Sequence, residues 1–230
     1  MTDLTSPAVV TVDGTAGSGK STLGRRLAQA LDLPFLDSGL FYRAVTATAA
    51  RAGLTDTDRE ALTALARSIR VDVGTDANDQ PRVHVDGVAI PASELHDPLR
   101  AQLLAAVSST PGIRAALLPA QRALARSGLV AVGRDCGTVV FPDAALKIYL
   151  EASESVRTSR RASQLRRRGA SVDVAVLDQE VSERDAADST RAVAPLRRAA
   201  DACVIDTGAL GVDAMVATAL GWCRERGLLR

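Results

Sequence analysis

The chain has 230 residues, 47% hydrophobic and 24% charged, the proportions of one folded globular domain with room for a modest insertion but not for a second independent catalytic domain. Its formal net charge of +1 excludes a global basic field of the kind that attracts nucleic acid, so any anion must be gripped locally. Three cysteines in no disulfide or zinc spacing, a polar start without a secretory pattern and the lack of a long apolar run lead to the expectation of a cytoplasmic protein with no membrane or nucleic-acid partner.

Taken in chain order, short apolar runs bounded by turn residues at 9–12, 35–36, 129–132, 146–150 and 203–206 read as buried parallel strands. Helical patterns lie between them, such as Leu23, Leu27, Ala30 and Leu31 after the first run and residues 212–226 after the last. This alternation predicts an α/β fold with a five-stranded parallel sheet flanked by helices. Residues 69–73 and 82–90 instead alternate with period two around turn signals at 76–79 and 86–87, which predicts a small antiparallel β insertion within residues 67–110. The arginine-dense stretch 157–169 lies between the last two core strands, where a short helical lid over 157–175 is expected.

The first predicted strand runs into Gly14, Thr15, Ala16, Gly17, Ser18, Gly19, Lys20 and Ser21, a full GxxxxGK[ST] pattern followed by a helix: the P-loop NTPase fold. Its glycines let the backbone wrap so that successive amides and the helix N-terminus face phosphate oxygens. Lys20 reaches the β and γ phosphates of ATP, Ser21 is placed to ligate Mg²⁺, and Thr22 completes the donor-binding run. Lysine occurs only at Lys20 and Lys147, arginine supplying the remaining positive charge.

The loop fixes a donor and leaves the acceptor open. A guanine-reading switch requires Asn-Lys-x-Asp, yet the only asparagine, Asn78, is followed by Asp79. A kinase requires a second anion site, and arginines at strand ends supply one: residues 37–43 and 133–138 follow the second and third strands, at the carboxyl ends where such sheets bind ligands. Arg184, Asp188 and Arg191 are spaced i, i+4 and i+7 and share one face if helical, a spacing that also suits plain ion pairing. In the lid, Arg157, Arg160 and Arg161 fall within about one turn and could close onto ATP phosphates.

These motifs together resemble bacterial cytidylate kinase over nearly the whole chain. Besides the P-loop, the likeness rests on Asp37-Ser38-Gly39 with Tyr42-Arg43, Gly133-Arg134-Asp135 running into Gly137-Thr138-Val139-Val140-Phe141-Pro142-Asp143, and Glu183-Arg184-Asp185 with Asp188, Arg191 and Ala192-Val193-Ala194-Pro195-Leu196, in that order. It implies transfer of the γ-phosphate of ATP to CMP or dCMP, with Mg²⁺, by a protein with an inserted substrate-binding subdomain and a lid, expected to be a monomer. By the same likeness Arg43, Arg134, Arg184 and Arg191 meet the acceptor and transferring phosphates, and Asp188 holds the sugar hydroxyls. Ser38, Arg114 and Asp135 meet the nucleotide and its base. The sequence departs from the family at Ala105, where a cytosine-binding serine is usual, and at Val132, often acidic. The competing readings are a P-loop kinase for another small acceptor such as UMP or shikimate, and an ATPase or nucleotide-sensing module.

Overall fold

The computed structural model describes residues 8–76, 80–167 and 173–229. Ala77, Asn78 and Asp79 of the first predicted turn, and residues 168–172 of the predicted lid, lie outside the described residues. The elements run β1 Val9–Gly14, α1 Lys20–Leu31, β2 Phe35–Asp37, α2 Gly39–Arg51, α3 Arg59–Ser68, β3 Val71–Thr75, β4 Pro81–Val85, β5 Val88–Ala89, α4 Ala92–Leu95, α5 Ala101–Ser109, α6 Pro111–Ala123, β6 Leu129–Gly133, β7 Leu146–Glu151, α7 Glu154–Arg167, α8 Val174–Thr190, β8 Cys203–Asp206 and α9 Val212–Glu225. Five strands form one sheet in the order β2-β6-β1-β7-β8, and β3-β4-β5 form a second sheet of three. The fold is the expected α/β arrangement with a small antiparallel sheet. By contact density the chain divides into two compact units, residues 34–129 and residues 8–33 with 130–229.

In the second unit, β1 runs parallel to β7, with Val10 opposite Leu146 and Val12 opposite Ile148, and β7 runs parallel to β8. Val10, Val12, Val130, Ala131, Ile148 and Leu150 are fully buried, as expected of strands covered on both faces. Leu23 and Leu27, one turn apart on α1, bury the face that packs against this sheet and against α9, whose Met215, Ala219 and Cys223 repeat every four residues.

In the unit of residues 34–129, Val71, Val73, Val83 and Val85 alternate inward while Asp72 and Arg82 face solvent. β4 and β5 are antiparallel and joined by Asp86 and Gly87, both at positive φ (50° and 81°). Two successive left-handed residues give the hairpin turn whose twist matches its strands, and Asp-Gly is the pair that tolerates it best. α2 buries Phe41, Ala44 and Val45 completely and packs against α3 and α5, while α3, with Leu62 buried, packs against α6, with Ile113 buried. Among the described residues no single helix is long and apolar enough to cross a membrane.

Candidate active site

The carboxyl end of β1 opens into the glycine loop. A side chain on Gly14, at φ 150°, would put its Cβ 2.5 Å from the Leu150 carbonyl oxygen, so β7 leaves room only for glycine there. Gly19 takes φ 95° as the residue before α1. The Thr15 carbonyl oxygen accepts hydrogen bonds from Ser18 Oγ at 3.0 Å and Lys20 Nζ at 2.5 Å, which draws the buried lysine back along the loop. No acidic residue occupies the first turn of α1, leaving the positive end of its dipole for an external anion. Ser21 and Thr22 are exposed on that turn.

Asp13 sits within the last residues of β1 and is buried. Its two carboxylate oxygens accept from the amides of Cys136 at 2.9 Å and Gly137 at 2.7 Å, which fixes the turn that carries Arg134 and Asp135 out of β6. Burial pushes its pKa up to about 6, offset in part by the two amide bonds and raised further by the charge of Asp135. A folded protein that holds this proton longer than the unfolded chain loses stability as pH rises from about 4 through about 6, and the cost is fully present above that window. Between pH 4 and 7 the wild type is therefore expected to lose about 2 to 3 kcal/mol more unfolding free energy than Asp13→Asn, which cannot ionise. Urea denaturation at the two pH values checks this, and parallel pH slopes for the two proteins would contradict it.

Four of the residues singled out in the sequence come together beside that turn. Arg134 Nε donates to Asp188 Oδ2 at 2.8 Å, while Arg191 donates to Asp188 Oδ1 at 3.3 Å and to Asp135 Oδ1 at 3.4 Å. The Arg191 and Asp135 side chains are each only 6% exposed, so the pairing is desolvated and each charge depends on the others. The expected helical face shared by Arg184, Asp188 and Arg191 needs correction: α8 stops at Thr190, and Arg191 is already extended at φ −60°, ψ 141°. The Leu196 amide donates back to the Asp188 carbonyl oxygen at 2.8 Å, and Arg191 Nε donates to the Ala194 carbonyl oxygen at 2.5 Å. The chain thus folds back on the end of the helix and turns the Arg191 guanidinium toward the strand ends. Arg184 lies on α8, its side chain outside the described residues.

Within the predicted lid, residues 157–167 are helical, in α7. α7 and α8 pack through Ala162, Leu165, Leu177 and Val181, and Thr158 Oγ1 donates to Asp178 at 2.5 Å. Arg157 is buried: its Nε donates to the Ala152 carbonyl oxygen at 3.2 Å, and its Nη1 donates to the Ala16 carbonyl oxygen at 3.3 Å and pairs with Asp185. Arg160 donates to the hydroxyl and carbonyl oxygens of Thr207 at 2.9 and 2.6 Å. Arg161 is exposed on α7.

In the unit of residues 34–129, Ser38 is buried just before α2. Arg43 donates to the Leu95 carbonyl oxygen at 2.8 Å. Arg114 is buried, donates to the Ser108 carbonyl oxygen at 3.0 Å, and stacks its guanidinium 5.0 Å from the centre of the Tyr42 ring, a cation–π contact that holds its plane. Ala105 is exposed on α5, one turn from Ser108.

The family model described as cytidylate kinase matches residues 10–225. The chain belongs to the cytidylate kinase family. It is 42% identical over 225 residues to a cytidylate kinase of Pseudomonas aeruginosa strain LESB58, covering 95% of this chain and 96% of that one. It is 43% identical over 213 residues to a cytidylate kinase of Methylococcus capsulatus, covering 92% and 95%. A solved structure of an uncharacterized protein from Eubacterium ventriosum superposes with TM-score 0.51 at 12% identity, over 94% of this chain and 98% of that one, a likeness of fold alone.

Within this cytidylate kinase family member, no group of three His, Cys, Asp or Glu that could hold a metal occurs among the described residues. Mg²⁺ keeps most of its waters and takes few protein ligands when phosphates supply the rest. The exposed hydroxyl of Ser21 in the first turn of α1 is the hard oxygen donor that such sharing needs. One acid missed in the sequence supports the site, Asp13, signalled only by an acid at the end of an apolar strand; Asp185, quoted in the Glu183-Arg184-Asp185 motif without a role, lies one helical turn before Asp188.

Proposed function

We propose that this member of the cytidylate kinase family transfers the γ-phosphate of ATP to CMP or dCMP, giving ADP and CDP or dCDP. The observation that carries this reading is the family match across residues 10–225, which takes in both the glycine loop and the Arg134–Asp188–Arg191–Asp135 cluster. The loop from Gly14 to Ser21 holds the donor through Lys20 and through its amides other than that of Ala16, which Asp185 accepts, and Ser21 would ligate Mg²⁺. When bound, Mg²⁺ neutralises charge on the donor phosphates.

An oxygen of the acceptor phosphate forms the new bond to the γ-phosphorus as the bond to the β–γ bridging oxygen breaks, and ADP leaves with that electron pair. The acceptor is already ionised at neutral pH, so no general base is needed. What the protein supplies is position and positive charge. Arg43, Arg134, Arg184 and Arg191 take the acceptor and transferring phosphates; Ser38, Arg114 and Asp135 take the nucleotide and its base. Asp188 holds the sugar hydroxyls. Its two oxygens offer about four lone-pair positions, so hydroxyl donors can join the two arginines that it already accepts from.

Cytosine presents an N4 donor and acceptors at N3 and O2, which one carboxylate and one guanidinium can read. Ala105 carries no hydroxyl toward that task. The test is a coupled assay of ADP formation with CMP, dCMP, UMP, AMP, shikimate and no acceptor. Rates with CMP or dCMP at least about 100-fold above the acceptor-free rate are expected. Equal rates with and without acceptor would return the protein to an ATPase, and a preference for UMP or shikimate would remove the cytidylate assignment alone.

A further inference from the structure

Arg157 heads α7 in the region expected to cover ATP, yet its Nε and Nη1 donate to the protein itself, and the partner that holds it is Asp185. Asp185 Oδ1 accepts from the Ala16 amide at 3.3 Å, and its other oxygen pairs with the Arg157 guanidinium, which in turn donates to the Ala16 carbonyl oxygen at 3.3 Å. Both hydrogen-bonding groups of Ala16, in the middle of the glycine loop, are therefore held by one buried ion pair. The side chains of Arg157 and Asp185 are 8% and 14% exposed. The backbone closes in as well: a Cβ on Gly17, at φ 77°, would lie 3.2 Å from the Arg157 Cβ and carbonyl oxygen. Asp185 cannot drift from this position freely, because α8 is fastened to α7 by Thr158–Asp178 and the Ala162–Leu177–Val181 contacts.

We propose that Asp185 is a positioning residue: acting with Arg157, it braces the glycine loop in its phosphate-receiving shape before the donor binds. This rests on the reading that the loop holds ATP. A flexible glycine loop must otherwise be ordered at the moment of binding, and preordering it raises affinity for the donor without new contacts to it. The brace also joins the paired helices α7 and α8 to the loop.

The test uses the full chain and steady-state kinetics with ATP and CMP varied separately. Asp185→Ala is expected to raise KM for ATP about tenfold, with kcat and KM for CMP within about twofold. Asp185→Asn, which keeps an oxygen for the Ala16 amide but loses the charge for Arg157, should fall between the two. The double variant with Arg157→Ala should be no worse than Asp185→Ala, since the two side chains act as one unit. An unchanged or lowered KM for ATP overturns the brace, as does an equal loss in kcat and both KM values, which is the mark of general structural damage. Should the variants not fold, amide exchange of the nucleotide-free wild type decides: the Ala16 amide is expected to be protected, and free exchange overturns the proposal. Lys20→Ala separates the two levels. Wild-type kcat/KM for ATP in that variant removes the donor reading and the brace with it, whereas an impaired Lys20→Ala beside a normal Asp185→Ala removes the brace alone.

Discussion

Replacing Lys20 by alanine is expected to lower kcat/KM for ATP by about three orders of magnitude, the scale found when a preorganised charge facing a transferring group is removed. The folded structure should tolerate the change well. The ammonium donates to the Thr15 carbonyl oxygen at 2.5 Å, and that oxygen keeps Ser18 Oγ as a partner at 3.0 Å, so loss of that bond should lower unfolding free energy by only about 1 kcal/mol. Arginine does not substitute, because its planar fork is bulkier than the point charge that the loop encloses. Steady-state kinetics and denaturant unfolding of the same preparation separate the two effects. A variant with near wild-type turnover would mean that Lys20 only packs beneath the loop.

The second large effect is expected for Arg191→Ala, in both stability and rate. Arg191 is the shared partner of Asp135 and Asp188, at 3.4 and 3.3 Å, and its removal leaves buried carboxylate charge with Asp188 held by Arg134 alone. Breaking such a buried pairing costs about 3 to 5 kcal/mol. Turnover should fall about 100- to 1000-fold while KM for ATP moves by less than about threefold, as follows from the proposed role of the guanidinium on the transferring phosphate. Arg191→Lys should recover part of the stability and little of the rate, because an ammonium cannot reproduce the fork that reaches Asp135, Asp188 and the Ala194 carbonyl oxygen together. Wild-type turnover in a destabilised Arg191→Ala would reduce the cluster to a packing feature.

Much of this was legible in the chain because its signals are local. The five core strands were placed by apolar runs alone, and the last of them, Cys203–Asp206, has the same limits in the structure. The remaining strands extend one or two residues further at their carboxyl ends, through Gly14, Asp37, Gly133 and Glu151. Polar or turn-forming residues there look like boundaries in sequence, yet the sheet still pairs them. The Asp86-Gly87 turn was readable for the same reason: two left-handed residues need that dipeptide whatever surrounds them.

What stayed hidden depends on contacts between distant segments. Spacing put Arg191 on a helical face with Arg184 and Asp188, but nothing in the spacing says where a helix ends. The end is set by the Leu196 amide returning to Asp188 and by Ala194 at φ 51°. Asp13 reads as the polar end of a strand until its oxygens are seen on the Cys136 and Gly137 amides. Arg157 reads as one of three lid arginines able to close onto ATP phosphates until Asp185, 28 residues later, is found holding it. A one-dimensional pattern identifies which groups are charged; it does not say which of them are consumed by one another.

The most direct measurement of the central claim is the fate of the γ-phosphate itself. Protein, Mg²⁺, CMP and ATP labelled at the γ-phosphorus should yield the label in the β-phosphate of CDP, in an amount equal to the ADP formed. Label released as inorganic phosphate at the same rate with and without CMP would contradict phosphoryl transfer to cytidylate.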